Sequence, residues 1–430
     1  MSPVSLLFVS FFAMIVLRVP VAYALTLASL IIILQEGLRP DLVVQQMFQG
    51  LNSFTLLAVP FFLLAGQLLN NGMITDRLMR VAQVMVGWVR GGLGHVNVTV
   101  SMIFAGMSGS STADTAGVGS VIIPAMVARG YSRTFTVALT AASSTMGSII
   151  PPSIIMVIYG AQGGVSIGAL FLAGAIPGML VGVLQLAYSY YYARLNDLPA
   201  EPRATRGEFA TAWKEGFLPL LVPVIIIGGV LTGKFTATEA GMVAVVYVMV
   251  LMFVLYRSAK LRALPTILSE AAVLYSQPLL AVAAATVFGW LLAFYQAPDM
   301  IADIASGMTG SVPLTLIGIM FVFIVVGTFM DAIPAIIIFM PIVTKLVETS
   351  GANPIHAGLI VVMTLALGLA TPPYGLCLLL AAAIGKVPVV RVMPQMLVFY
   401  ALFLAVVLLI IFVPGIALFL PRLIMPQFVG

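Results

Sequence analysis

Two acidic residues sit inside long apolar stretches beside neighbours suited to ion chemistry. Asp114 closes the string GMSGSSTAD at 106–114, and Asp331 closes GTFMD at 327–331. A charge at mid-bilayer costs at least about 2.5–3.5 kcal/mol on insertion scales, so each carboxylate reads as functional by default. The plainer alternative is that each only caps a half-helix. A second interruption follows each string, GSIIPPS at 147–153 and GLATPPY at 368–374. In hydrocarbon, unpaired backbone groups cost several kcal/mol, so such breaks survive only where protein, water or a bound solute satisfies them.

A helix ending near residues 107–109 leaves its last carbonyls unpaired at the negative end of the helix dipole, a setting for a cation. The next arm starts near Ser111 and Thr112, where hydroxyls cap amides and the positive dipole end favours a carboxylate. The partner break offers the same groups. Carbonyls are exposed at about Gly147, and Pro151 and Pro152 open a new half-helix without needing N–H partners. Sodium prefers hard oxygen ligands, so a cage of carbonyls with hydroxyls from Ser108, Ser111 or Thr371 is chemically apt. The second half repeats the arrangement with Gly327, Gly368, Thr371 and the carbonyl near Tyr374.

The elements that position these residues are membrane helices. Of 430 residues, 62% are hydrophobic and 8% charged, against about a quarter charged in a soluble domain. Apolar runs recur from Val4 to Leu420 with no room between them for a soluble domain. The single Cys377, with only His95 and His356, excludes a disulfide framework and a zinc or redox cluster. The net charge of +5 does not indicate nucleic acid, because the basic residues lie in short loops between spans. The first apolar run lacks a basic start and a cleavage site, so it reads as a retained helix.

Full spans are expected at 5–34, 55–73, 134–160, 165–193, 216–233, 237–256, 276–296, 355–385 and 393–421. The segments 94–128 and 311–347 break at their centres into arms of about 15 residues, or about 22 Å, short of a crossing. They read as re-entrant hairpins, and 134–160 and 355–385 as broken helices. With a cytoplasmic N-terminus and a periplasmic C-terminus, 14 of the 19 basic residues fall inside, including Arg90, Arg129 and Arg194. Arg39, Lys234, Lys345 and Arg422 fall outside, and Arg18 lies within the first span, where a helix-stabilising contact is its expected role. The polar stretch 194–215 reads as a cytoplasmic linker between a first repeat, 1–193, and a second, 216–430. Across it, Leu57-Ala-Val with Gly66 matches Leu280-Ala-Val with Gly289. The hairpins and proline pairs follow in the same order. Five full spans between the hairpins make the repeat inverted, a basis for alternating access.

The strings GMSGSSTADTAGVGSVIIPAM at 106–126, IIPPS at 149–153, GTFMDAIPA at 327–335 and LGLATPPYG at 367–375 resemble the large membrane subunit of tripartite ATP-independent periplasmic (TRAP) transporters. The resemblance covers essentially the whole chain. It implies an all-α polytopic ion-transporter fold of the elevator type, in the bacterial inner membrane. It also implies sodium-coupled uptake of an organic acid, such as a C4-dicarboxylate or sialic acid. The implied partners are a periplasmic solute-binding protein and a small four-helix membrane subunit, expected here on a separate chain. Carried over by motif, one sodium site falls around Ser108, Ser111, Gly147, Ile150 and Pro151. A second falls around Gly327, Gly368, Thr371 and Tyr374. Substrate contacts fall at Ser110, Ser153 and Asp331, with Asp114, Pro152 and Pro373 beside them.

A one-component sodium–carboxylate symporter would show the same paired breaks. From another class, Gly106-Met-Ser-Gly109 matches the string of an intramembrane serine protease, which needs a base within hydrogen-bond reach of Ser108. His95 and His356 are both expected near membrane edges, away from it.

Overall fold

Long apolar helices satisfy their own backbone, so caps and breaks decide where each one stops. The computed structural model describes residues 2–71, 74–300 and 311–429, and no strand occurs among them. The chain starts with α1 (Pro3–Val16) and α2 (Val21–Gln35). These replace the single helix expected at 5–34. Arg18 takes a left-handed conformation (φ 64°) and Pro20 caps α2, so the two helices fold back and pack on each other. Proline cannot continue the hydrogen-bond ladder of the helix before it, and the chain reverses there instead of merely kinking. Arg18 is exposed at this turn rather than held inside a span.

Next come α3 (Asp41–Leu51) and α4 (Ala58–Asn71), bent by 66° through a 3-10 turn. The last two residues of the expected 55–73 span lie outside the described residues. Helix α5 (Ile74–Val86) buries Ile74, Leu78, Val81 and Ala82 and turns Arg80 to solvent, an amphipathic arm that leads into the first hairpin. That hairpin is α6 (Gly92–Ser108) and α7 (Ser111–Ala128), reversed by Gly109 (φ 62°) and Ser110. The first broken helix is α8 (Arg133–Ser144), a 3-10 turn over Thr145–Ser148, and α9 (Ile154–Gly163). The unbroken α10 (Ile167–Leu195) closes the first half.

The expected linker 194–215 is shorter than its polarity suggests. Thr205 and Glu208 form a capping box, so α11 (Arg206–Leu231) claims half of the stretch. Helix α12 (Ala237–Met249) runs on as a π turn, and α13 (Leu264–Phe294) starts well before the expected 276. The second hairpin is α14 (Val312–Gly327) and α15 (Ala332–Ser350), and the second broken helix is α16 (Pro354–Gly368) and α17 (Leu376–Gly385). The span expected at 393–421 divides at Val413 into α18 (Val389–Phe412) and α19 (Pro414–Ile424), because Pro414 starts a new helix. The returning hairpin arms have 18 and 19 residues. They are longer than the breaks alone imply, because caps let each helix run almost to the tip.

Two bodies result. Hairpins and broken helices pack crosswise, α7 on α17 and α15 on α9, with α10, α16 and α18 completing one body. In the other, α4 lies on α12, α13 on α2 and α3, and α11 on α12 and α5. Gly66 of α4 and Gly289 of α13 lie at the boundary. A Cβ at Gly66 would stand 3.3 Å from Ser108, and one at Gly289 3.3 Å from the Ile337 carbonyl. The equivalent glycines therefore let each hairpin approach the flanking helices closely.

Packing at glycine gives a direct check. A Cβ at Gly358 in α16 would overlap the Tyr159 ring of α9, whereas one at Gly228 in α11 meets nothing within 4 Å. Gly358→Leu is expected to cost about 1–3 kcal/mol by overpacking and to lower the midpoint in a thermal melt of detergent-solubilised protein. Gly228→Ala is expected to leave that midpoint unchanged or slightly raised.

Candidate functional site

The first tip is built from local caps. Ser110 adopts an extended conformation and accepts the Ala113 amide at 3.4 Å, so it is Ser110, not Asp114, that caps α7. Asp114 is thereby free of the capping role. It is fully buried in the first turn of α7, and Ser108 Oγ donates to its Oδ1. Its Oδ2 has no hydrogen-bond partner among the described residues and faces Gly147, where any Cβ would overlap it. Ser111 Oγ donates to the Thr145 carbonyl at 3.2 Å and lies 2.7 Å from Ser148 Oγ. One further bond ties the tip to the broken helix, from the Ile154 amide to the Gly109 carbonyl at 3.1 Å. Gly109 also lies against the Pro152 carbonyl, with no room for a Cβ.

The predicted residues Ser108, Ser111 and Gly147 thus converge behind one tip, with the Pro151 carbonyl near Gly106. The Ile150 side chain packs instead against Gly178 of α10. Ser153 is buried, caps α9 and donates to the Ser148 carbonyl at 2.6 Å. Ser148 and Thr145 were not singled out from sequence. The serine–threonine run at 143–145 followed by Ser148, just before a glycine–proline break, was the available signal.

The second tip has a different chemistry. Gly327 and Gly368 touch backbone to backbone, and a Cβ at Gly368 would stand 2.8 Å from Gly327. The Tyr374 amide donates to the Thr328 carbonyl at 2.9 Å, the counterpart of the Ile154–Gly109 bond. Thr371 Oγ1 donates to the Leu367 carbonyl at 2.8 Å. Asp331 caps α15, accepting the Ala332 amide at 2.6 Å, and is half-buried. Both peptide bonds 151–152 and 372–373 are cis.

A cavity of about 490 Å³ lies between the two tips and the flanking helices. Ser110 and Thr112 reach it from the first hairpin, Asp331 from the second, and Tyr374 from the second break. Asp114, Ser153 and Pro152 are buried and do not line it, and neither does Pro373, which is exposed. Gln67 and Asn70 of α4 and Gln277 of α13 add to the polar lining, and Ser111 and Ser148 border the cavity from behind the first tip. They were missed from sequence because single amides in apolar helices carry no motif. Among the described residues, no lysine or arginine lines this cavity, and no three His, Cys, Asp or Glu side chains converge anywhere. A cation here would be held by carbonyls and hydroxyls with at most one carboxylate.

Neither histidine stands beside Ser108, whose hydroxyl is engaged by Asp114. His95 lies on the same helix about 20 Å away, and His356 Nε2 is engaged with the Ile410 carbonyl at 2.9 Å.

The fold is shared with solved membrane transporters. The chain aligns with Neisseria gonorrhoeae MtrF at TM-score 0.57 and 14% identity, covering 86% of this chain and 83% of that one. Alcanivorax borkumensis YdaH gives the same TM-score and identity, with 86% of both chains covered. In sequence, it is 39% identical to the sialic acid TRAP transporter large permease SiaM of Vibrio cholerae, over 86% of this chain and 87% of that protein. It is 36% identical to the C4-dicarboxylate large permease DctM of Pseudomonas aeruginosa, over 88% of each. The isethionate permease DctMQ of Oleidesulfovibrio alaskensis is 36% identical over 97% of this chain, which spans 66% of that longer protein. Residues 8–416 match the family described as the DctM component of tripartite ATP-independent periplasmic transporters, and the chain belongs to that family.

Proposed function

We propose that this chain imports an organic anion by sodium coupling and an elevator motion, with the anion delivered by a periplasmic solute-binding protein. A small membrane subunit completes the assembly. The observation that carries the reading is the cavity between the tips. It has the helix N-terminus and hydroxyls that suit a carboxylate, yet none of its described lining residues is Lys or Arg. A carboxylate there is offset by the positive end of α7, with Ser110 and Thr112 as donors. The remaining compensation is assigned to cations held behind the tips, which links anion binding to sodium binding. Asp331 accepts hydrogen bonds from donor groups of the substrate, since two carboxylates at short range repel.

The first cation site is assigned to the oxygens around Asp114 Oδ2, with Ser108, Ser111 and the carbonyls near Gly147. The second is assigned to the carbonyls around Gly327, Gly368 and Tyr374 with Thr371. Each site joins a hairpin to its partner break, so a bound ion stiffens the body that carries the substrate. That body moves against α1 to α4 and α11 to α13, past the close-approach glycines at 66 and 289. The relatives' names support an organic-acid substrate, and sialic acid and C4-dicarboxylates are among the solutes so named.

The turn at Arg18 supports an orientation of the N-terminus opposite to the expected one. With the loops carrying Arg90, Arg129 and Arg194 assigned to the cytoplasm, the doubled-back α1 and α2 support a periplasmic position for the residues before α1. Arg18 then joins the inside group, giving fifteen of nineteen basic residues there.

In proteoliposomes containing the partner proteins, uptake is expected to follow an imposed sodium gradient and to require no ATP. Asp114→Asn, Asp331→Ala and Thr371→Ala are each expected to lower initial rates by about ten-fold or more, the loss of one charge-assisted contact of about 1.5–3 kcal/mol. Ser120→Ala, on the exposed side of α7, is expected to retain the wild-type rate. Equal uptake with and without a sodium gradient refutes the coupling. For topology, a periplasm-dependent reporter fused ahead of α1 is expected to be active, and the same reporter inserted at 196–205 inactive. The reverse pattern refutes the revised orientation.

A further inference from the structure

A polar seam runs through the interior behind the first hairpin. Asn97 and Ser101 of α6 are buried against Thr140 and Ser143 of α8, Gln185 and Ser189 of α10 pack on the same helices, and His95, also buried, faces Tyr190 of α10. Asn97 Nδ2 donates to Thr140 Oγ1 at 2.8 Å, and Ser143 Oγ donates to Asn97 Oδ1 at 3.4 Å. The Ser101 and Ser143 hydroxyls are 3.0 Å apart. Farther along α8, the Ala142 carbonyl accepts both Gln185 Nε2 at 3.2 Å and Thr145 Oγ1 at 2.6 Å. The Thr145 carbonyl in turn accepts Ser111 Oγ of the first tip. Polar groups of α6, α8 and α10 therefore lead from Asn97 toward the oxygens around Asp114.

Three seam atoms have no protein partner among the described residues: His95 Nδ1, Gln185 Oε1 and Ser189 Oγ. Their residues are only 5%, 2% and 0% exposed. Gln185 and Ser189 are one turn apart on α10, and Ser189 Oγ lies directly on α6, where any Cβ at Gly94 would overlap it. Leaving such an atom bare costs about 1–3 kcal/mol, and buried polar groups of this kind are ordinarily satisfied by ordered water.

The fold does not require this seam. The equivalent helices of the second half are α14, α16 and α18. There Thr315 and Thr364 bond to carbonyls of their own helix or cap, and His356 Nε2 pairs with the Ile410 carbonyl. No side chain of that trio hydrogen-bonds to another side chain among the described residues. The polarity is therefore specific to the first half, the half that holds the buried carboxylate.

We propose that the seam is a hydrated access path by which, when the moving body faces the side carrying Arg90 and Arg129, the cation of the first site exchanges with that side by a route separate from the substrate cavity. The inference rests on the sodium site assigned around Asp114. An ion on this path exchanges water for amide, hydroxyl and carbonyl oxygens, so it meets no stretch of bare hydrocarbon. Release of the first sodium ion then needs no prior exit of the substrate.

Cysteine scanning in the intact transporter tests this, on a Cys377→Ala background that removes the only native thiol. Ser101→Cys and Ser189→Cys are conservative changes inside the seam, and Val98→Cys is an equally buried control on α6. A small cationic methanethiosulfonate applied from the cytoplasmic side is expected to modify positions 101 and 189 about ten-fold or more faster than position 98, since access governs thiol reactivity. Sodium, but not choline, is expected to slow that modification. Sodium titration of the thermal midpoint of the unmodified protein reads the site itself. A midpoint insensitive to sodium removes the site and the path together. A sodium-stabilised protein whose thiols at 101 and 189 are as inert as the one at 98 leaves the site standing and overturns the path.

Discussion

Four helices stop in the middle of this molecule, and their bare ends must be satisfied away from bulk water. That constraint accounts for most of what surrounds them. Each hairpin tip is tied to its partner break by one backbone bond, Ile154 to Gly109 and Tyr374 to Thr328. Glycine stands wherever two backbones meet, at Gly109 against Pro152 and at Gly368 against Gly327. Behind the first tip, Asp114 Oδ2 is left without a hydrogen-bond partner among the described residues. The cavity between the tips has no basic side chain among its described lining.

The two halves share this plan and differ in its chemistry. The first tip is rich in hydroxyls and keeps its carboxylate fully buried, half satisfied by Ser108. The second tip relies on a glycine pair and brings its carboxylate to the cavity, where Asp331 also caps α15. Duplicated topology therefore provides two equivalent tips, and local residues give them different chemistry. The polar seam behind only the first tip extends that asymmetry to the helices around it.

The breaks were legible in sequence because their causes are local. Glycine, proline and serine at 106–114, 147–153, 327–331 and 368–374 stop helices whatever surrounds them. The first helix was misjudged because a proline inside an apolar run is compatible with a kink or with a reversal, and only packing of α1 on α2 distinguishes them. The starts of α11 and α13 came earlier than expected because polar and mixed segments can be helical once capped or packed. Gln67, Asn70 and Gln277 went unnoticed because an isolated amide acquires meaning only from the cavity it faces.

By itself, the sequence determined that this is a polytopic helical membrane protein with paired interruptions, because hydropathy and helix-breaking residues act at short range. It also determined which residue types stand at those interruptions. The tertiary structure decided which of them meet. It set Asp114 behind the tip and Asp331 at the cavity, although both follow similar strings at equivalent positions. Burial and pairing depend on which helices pack together, and that is a property of contacts between residues distant in the chain.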